Sequence, residues 1–174
     1  NGSGMVPALF NQSMESQAGV CDSITVELHS AFPPFQLVQS TKTLLNQNGE
    51  VVCDFPVLSM PVFIAVKHRS AIETWSANPV NFSQGLAMYD FTTAANSAFG
   101  ANQVQVAPGV WAFYSGDVNH DQSIDLLDVP GMENDINNFE FGYNHHDING
   151  DGSVDLLDAN ILEQNINNFI YANM

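Results

Sequence analysis

Two acidic stretches of twelve residues stand out in the C-terminal third of the sequence. Residues 117–128 read DVNHDQSIDLLD and residues 147–158 read DINGDGSVDLLD. Oxygen-bearing side chains fall at positions 1, 3, 5, 9 and 12 of each stretch: Asp117, Asn119, Asp121, Asp125 and Asp128, then Asp147, Asn149, Asp151, Asp155 and Asp158. Alternate residues of a tight loop point towards one centre, so the spacing predicts an oxygen cage for a hard cation.

The spacing is that of an EF-hand-type calcium loop. Ca²⁺ takes about six to eight oxygen ligands, and the backbone carbonyl at position 7, from Ser123 or Ser153, would supply one of them. Four carboxylates within twelve residues repel one another unless a divalent ion lies among them. We therefore predict two structural Ca²⁺ ions, one in each loop, with no coordination position left open for a substrate.

The two loops differ at position 6, where an EF-hand loop turns sharply. Gly152 occupies this position in the second loop and suits a positive φ, whereas Gln122 replaces it in the first. We therefore expect the first site to be the weaker or more strained one. Position 12 is Asp in both loops, and this short side chain should hold the ion near the start of the following helix.

The two loops belong to a duplicated unit. Residues 117–139 and 147–169 are identical at 13 of 23 positions at a constant offset of thirty. After each loop the sequence predicts a helix whose apolar residues share one face: Leu127, Met132 and Ile136, then Leu157, Leu162 and Ile166. One loop and one helix cannot bury such a face alone, so the two halves should pack against each other.

Residues 1–115 alternate with a period of two and predict a mostly β domain, an Ig-like or prealbumin-like β-sandwich. SITVELH places Ile24, Val26 and Leu28 on one face of a strand. The NQNG turn between FQLVQSTKTLL and EVVCDF predicts a hairpin, and VFIAVKHR and GVWAFYSG predict further strands. FTTAANSAFG predicts a short helix or an ordered loop closed by Gly100.

Charge separates this region from a second, small α domain at residues 116–174. The chain carries 19 acidic and three basic residues, a formal charge of −16, and twelve of the acids follow Gly116 without any Lys or Arg. Such a surface disfavours nucleic acid and anionic membranes, and no apolar run is long enough for membrane insertion.

Cys21 and Cys53 both lie in predicted strands. Their even number fits an exported protein with one disulfide, but two free buried thiols fit as well.

The sequence has no His-Glu-x-x-His zinc pattern, no Gly-x-Ser-x-Gly elbow and no phosphate-binding glycine loop, so we predict that the chain is not an enzyme. KHRSAIETW groups His68 with Lys67 and Arg69, and we interpret His68 as a hydrogen-bonded core residue and the two cations as partners of Glu73. The aromatic residues Trp75, Trp111 and Tyr114 are either core residues or a platform for a carbohydrate ring.

The duplicated loops and helices, from SGDVNHDQSIDLLD to INNFIYA, resemble the dockerins. This resemblance implies a noncatalytic calcium-binding module that docks onto a cohesin-like sandwich. Dockerins recognise partners near loop positions 10 and 11, which here are Leu126, Leu127, Leu156 and Leu157. These leucines form a docking surface, or else they pack the two halves together or onto the β domain.

VKHRSAIETWSANPVNF, YDFTTAANSAFG and GVWAFYSGDVN resemble a segment that precedes dockerin-like repeats in large exported Bacteroidetes proteins. The leading interpretation is a secreted, cell-surface-associated attachment module that binds a protein partner on a scaffold or cell surface, or a domain of its own parent chain. The alternatives are a structural subunit or spacer of a surface fibre or adhesin, and a carbohydrate-binding accessory module of a polysaccharide hydrolase.

Overall fold

The computed structural model describes residues 5–82 and 85–174. A short helix and six strands precede two further helices: α1 Ala8–Asn11, β1 Val20–Ser30, β2 Leu37–Asn46, β3 Val62–Lys67, β4 Thr74–Trp75, β5 Val104–Ala107, β6 Val110–Ala112, α2 Met132–Asn137 and α3 Leu156–Asn167. Single 3₁₀ turns occupy Ala95–Ser97, Phe99–Ala101 and Leu126–Asp128. None of the described helices combines the length and the apolar character needed to span a bilayer.

The strands form two antiparallel sheets. The larger sheet has the order β2-β1-β3-β4, and β5 pairs with β6 in a smaller one. Ile24, Val26 and Leu28 are all buried on the central strand β1, as their alternation predicted. The mostly β character of this region and the small helical C-terminal region are thus confirmed, while the Ig-like sandwich stays a prediction.

The hairpin predicted around NQNG is only half formed. The turn is present, because the Asn46 side chain accepts hydrogen bonds from the N–H groups of Asn48 (2.8 Å) and Glu50 (3.1 Å). The first arm becomes β2, but it pairs with β1, and the predicted strand at residues 50–55 is wrong. Val51, Cys53 and Phe55 of that segment do pack against the β1–β3 cluster, so their alternation reflects side-chain burial without a backbone ladder.

Both cysteines are free thiols. Cys21 is buried and its Sγ donates to the carbonyl of Leu45 at 3.2 Å, and burial raises its pKa to about 11. Of the two predicted alternatives, the structure therefore supports two free thiols and not a disulfide. With its raised pKa, the Cys21 thiol stays protonated at neutral pH.

The two repeats complete each other through exchanged backbone pairs. Ser123 in the first loop lies opposite Tyr171, which follows the second helix, and Ser153 in the second loop lies opposite Phe141, which follows the first. In the first pair, Ile124 N–H donates to Ile170 O and Ala172 N–H donates to Gln122 O, both at 2.8 Å. The second pair repeats this pattern thirty residues away, with Val154 N–H on Glu140 O at 2.9 Å and Gly142 N–H on Gly152 O at 2.7 Å.

The helices of the two repeats differ in continuity. The second repeat forms the uninterrupted helix α3, whereas in the first a 3₁₀ turn ends before Pro130 and α2 begins only after Gly131. Pro130 lacks an N–H and Gly131 has a φ of 100°, so neither can continue a helix.

The apolar face of the repeats is confirmed only in part. Met132 and Leu162 are buried and Ile136 and Ile166 pack beside them. Leu127 and Leu157, predicted on the same face, are exposed.

One residue of the β-rich region belongs to the core of the repeats. Ile72, fully buried between β3 and β4, packs in one cluster with Ile124, Met132, Ile148 and Leu162. Ile72 N–H also donates to the carbonyl of Tyr114 at 2.9 Å, which holds the two chain segments side by side. The residues on the two sides of the boundary predicted near residue 116 therefore share a hydrophobic core. The division into two domains at this point stays a prediction.

We expect Ile72→Ala to destabilise the repeats directly. Removing a fully buried Ile side chain costs about 2–5 kcal/mol, and the cavity would open beside Leu162 and Ile124. Thermal unfolding monitored at α3 should show this loss and a reduced affinity for calcium. Ile24→Ala, which empties a site in the separate β1–β3 cluster, is the control. Equal effects of the two variants on the calcium affinity would contradict a shared core.

Candidate metal centre

The first half of each loop is held by its own carboxylate and amide side chains. In loop 1 (residues 117–128) the Asn119 side chain accepts from Asp121 N–H at 2.8 Å, and the Asp121 carboxylate accepts from Ser123 N–H at 3.0 Å. In loop 2 (residues 147–158) the equivalent distances are 2.7 and 2.9 Å. The side chains at positions 3 and 5 are therefore held within the turn of each loop, and their role as ligands stays a prediction.

The carboxylate at position 12 closes each loop onto its own beginning. Asp128 is fully buried and accepts hydrogen bonds from the N–H groups of Val118 (2.9 Å), Asn119 (3.2 Å) and Asp125 (2.9 Å). Asp158 does the same in loop 2. At position 9, Asp125 and Asp155 cap the following helical turn by accepting from the N–H groups of Leu127 and Leu157, each at 2.7 Å.

The exchanged backbone pairs orient the carbonyl at position 7. The bonds of the first pair run through Gln122 O and Ile124 N–H, on either side of Ser123. In an antiparallel pair of this kind the N–H and C=O of the residue between them point away from the partner strand. The Ser123 N–H reaches Asp121, so its carbonyl faces the same carboxylate-lined side, as does that of Ser153.

The buried carboxylates are electrostatically costly. Burial and the neighbouring charge of Asp128 raise the pKa of Asp117. Burial, partly offset by Arg69 and reinforced by Asp158, raises the pKa of Asp147 to about 6, and burial also raises that of Asp158. A divalent cation among these buried carboxylates would stabilise their ionised form.

Among the described side-chain oxygens of the two loops, one is buried without a hydrogen-bond partner. Asp117 Oδ1 is buried without a hydrogen bond in the described part of the chain, and a buried carboxylate oxygen left in this way is costly. It lies at position 1, where a calcium loop has its first ligand. The residues therefore fit a hard cation held by the oxygens of positions 1, 3, 5, 7, 9 and 12, and this ligand assignment stays a prediction.

The described residues contain no ready cluster of three or more His, Cys, Asp or Glu side chains that could hold a metal ion. Each loop carries four Asp side chains, and one of them, Asp128 or Asp158, is turned onto backbone N–H groups. Each of these two carboxylates accepts three N–H groups, and because a carboxylate offers about four lone-pair sites it can keep these donors and still ligate a cation.

The loops differ in backbone strain, as the sequence predicted from position 6. Gln122 has a φ of 73°, in the left-handed region that costs an ordinary residue about 1–2 kcal/mol, whereas Gly152 adopts a φ of 90° without that cost. Position 4 repeats the contrast, with His120 at 61° and Gly150 at 72°.

A comparison with known families agrees with this geometry. Residues 115–167 match the Dockerin type I domain. The match covers both loops and both helices and leaves the β-rich region outside it. The chain thus contains a dockerin-like domain, a type that binds calcium and serves as a noncatalytic docking module for cohesins. No curated protein and no solved structure matches the chain.

The polar side chains of the KHRSAIETW segment mainly form hydrogen bonds and ion pairs within the fold. His68 Nε2 lies 2.8 Å from the Asp22 carboxylate, so the predicted hydrogen bonding is present, but His68 is half-buried and not part of the core. Lys67 lies 3.5 Å from Glu73. The predicted pairing of Arg69 with Glu73 is wrong, because Arg69 Nε instead donates to Asp22 Oδ2 at 2.7 Å. Sequence reasoning could not place Asp22 there, since it lies 47 residues away.

The aromatic residues do not form a common platform. Trp75 is buried against Phe63 and donates its indole N–H to Glu73 at 2.7 Å, so it cannot offer a face to a sugar ring. Tyr114 packs against the shared core, and Trp111 is half-buried on β6. A cavity of about 390 Å³ between the sheet and loop 1 is lined by Lys42, Lys67 and Arg69, but the latter two are already paired with carboxylates.

We expect isothermal titration to show two bound Ca²⁺ ions. Free calcium at a hundred times Kd should stabilise the fold by about 2.7 kcal/mol per site, and a chelator should remove this stabilisation. Asp117→Asn and Asp147→Asn should each reduce the count to one. Asp54→Asn makes the same charge change at an exposed position of the β-rich region and should leave two. A full count in either loop variant would contradict the ligand assignment.

We expect Gln122→Gly to stabilise the calcium-loaded protein by about 1 kcal/mol, because it relieves the left-handed backbone of loop 1. The same change removes the contact of Gln122 Nε2 with Glu73 Oε2 at 3.5 Å. Gln122→Ala removes the amide but keeps Cβ, so the difference between the two variants in denaturant melts isolates the backbone effect. Equal stability of the Gly and Ala variants would show that loop 1 carries no such strain.

Proposed function

We propose that this chain is a calcium-stabilised, noncatalytic attachment module of a secreted, cell-surface-associated protein, and that its two leucine pairs dock onto a protein partner. The match to the Dockerin type I domain supports the class of function. The observation that carries the docking surface is the exposure of Leu126, Leu127, Leu156 and Leu157, which ranges from 58% to 73%.

The core of the repeats is formed by other residues and does not need these leucines. Ile124, Met132 and Leu162 already fill the centre of the repeats with help from Ile72. Each repeat thus keeps a pair of adjacent leucines in solvent at equivalent positions, and exposed apolar surface of this kind is typical of interaction sites. The alternative that they pack the two halves together does not agree with their exposure.

Calcium would control the orientation of the leucines of loop 1. Each pair lies between positions 9 and 12, both of which are predicted ligands. In loop 1 the position 9 carboxylate accepts from the N–H of Leu127, so the leucine backbone is tied directly to the predicted cage. An ion held by Asp125 and Asp128 therefore fixes the turn that carries Leu126 and Leu127.

The partner should present an apolar strip flanked by positive charge. The region after Gly116 carries twelve acids and no Lys or Arg, so an acidic partner would be repelled. A cohesin-like β-sandwich on a scaffold or cell surface, or within the parent chain, meets these requirements. Two structural calcium ions complete the proposed module.

We expect purified cohesin-type domains from the source organism to bind the chain in calcium and to dissociate in chelator. Changing either leucine pair to Ser should weaken binding about tenfold or more, because buried apolar anchors carry most of the energy of such interfaces. Leu86→Ser is the matched control, since Leu86 is as exposed as Leu156 and lies outside the repeats. Calorimetry gives the affinities, and circular dichroism in calcium checks that each variant is folded.

Two outcomes would contradict this function. Self-association in calcium, measured by sedimentation and lost in the leucine variants, would make the chain a fibre subunit or spacer. Binding of a polysaccharide that is unaffected by the leucine changes would instead favour the carbohydrate-binding alternative, with Trp111 as the first residue to test.

A further inference from the structure

The first ligand positions of the two loops have different surroundings. In loop 2, Asp147 accepts hydrogen bonds at both oxygens, from Asp151 N–H at Oδ1 and from Gly152 N–H at Oδ2, each at 3.1 Å. In loop 1, Asp117 accepts from Gln122 N–H at Oδ2 at 3.3 Å, and its Oδ1 is buried without a partner in the described residues. The internal hydrogen bonding of loop 2 is therefore the more complete.

A cation from the β-rich region lies beside loop 2. Arg69, two residues after β3, places Nη2 3.9 Å from Asp147 Oδ2, and its Nη1 donates to the carbonyl of Asn144, just before the loop. At 3.9 Å the contact with Asp147 is electrostatic and not a direct hydrogen bond, so the carboxylate remains available to a metal ion. Within the described residues, Asp117 has no basic side chain at salt-bridge distance.

The guanidinium of Arg69 is fixed in this place. Its Nε donates to Asp22 Oδ2 at 2.7 Å, and its planar group lies 4.8 Å from the centre of the Tyr143 ring. The Tyr143 hydroxyl in turn donates to Asp22 Oδ1 at 2.9 Å. Arg69 is mostly buried, so solvent screens its charge much less than it would screen a surface ion pair.

We propose that Arg69 is a built-in counter-charge for loop 2, which keeps that loop ordered without calcium and leaves loop 1 as the calcium-responsive half. The glycines at positions 4 and 6 of loop 2 act in the same direction, because Gly150 and Gly152 adopt their positive φ without the strain carried by His120 and Gln122. Arg69 is thus a positioning residue that acts through Asp147.

This inference rests on the proposed docking function and adds its regulation. Leu126 and Leu127 follow loop 1, so calcium orders the turn that presents them. Leu156 and Leu157 follow loop 2 and are presented at any calcium level. Two leucine pairs of identical sequence therefore differ in calcium dependence.

Amide hydrogen exchange at pH 7.5, measured by NMR in calcium and in chelator, tests the role of Arg69. The reporters are backbone amides that donate to the carboxylates at positions 1 and 12 of each loop: Val118, Asn119 and Gln122, then Ile148, Asn149 and Gly152. In chelator we expect the loop 1 reporters of the unmodified chain to exchange at least tenfold faster than those of loop 2. In calcium the two sets should be similarly protected.

Arg69→Gln should raise the exchange of the loop 2 reporters in chelator at least tenfold, towards the level of loop 1. Arg69→Lys, which keeps the charge, should restore part of the protection. Lys67→Gln removes a neighbouring cation that pairs with Glu27 and Glu73 instead of the loops, and it should leave loop 2 unchanged. Because Arg69→Gln leaves Asp22 without its cation, the double variant Asp22→Asn with Arg69→Gln removes that buried charge and should give the same loop 2 result.

Equal exchange of the two loops in the unmodified chain in chelator would overturn the inference, and so would a protected loop 2 in both Arg69→Gln variants. Neither result affects the docking function, which the cohesin titration tests separately in calcium. If instead calorimetry detects no calcium in either loop, the metal assignment fails, and the role of Arg69 fails with it.

Discussion

A calcium loop followed by a single helix cannot satisfy its own backbone, and this constraint governs the C-terminal half of the molecule. The N–H of Ile124 and the carbonyl of Gln122 both require partners that their own repeat does not supply. The segment around Tyr171 supplies them, and the segment around Phe141 does the same for the other loop. The exchange turns the carbonyls of Ser123 and Ser153 towards the carboxylates and brings the two apolar faces together. Duplication is therefore a structural requirement of these loops.

The second constraint is the concentration of negative charge. The repeats bury Asp117, Asp128, Asp147 and Asp158, although they contain no Lys or Arg of their own. The β-rich region contributes both a cation, Arg69, and an apolar side chain, Ile72, to the repeats. The sheet therefore serves as a third partner of the two repeats, and β3 positions Arg69 through its pairing with β1, which carries Asp22.

The features that could be predicted from the sequence are those with a short period. The alternation of Ile24, Val26 and Leu28 predicted a strand, and the spacing of oxygen-bearing side chains predicted the two tight loops, because both patterns depend on neighbouring residues alone. The contact of Ile72 with the repeats and the pairing of Arg69 with Asp22 depend on chain segments tens of residues apart. The prediction that Leu127 and Leu157 share the apolar face was wrong because they lie five residues before Met132 and Leu162, which at 3.6 residues per turn is about 140° around a helix.

The exchanged backbone pairs also limit how this architecture can change in evolution. Each loop is completed by the segment that follows the other helix, so the loss of one thirty-residue repeat would leave the survivor with open backbone groups and a half-covered core. A single additional repeat would have the same defect. Repeats of this type can therefore be gained or lost only two at a time, and viable descendants of this chain should carry an even number of loops.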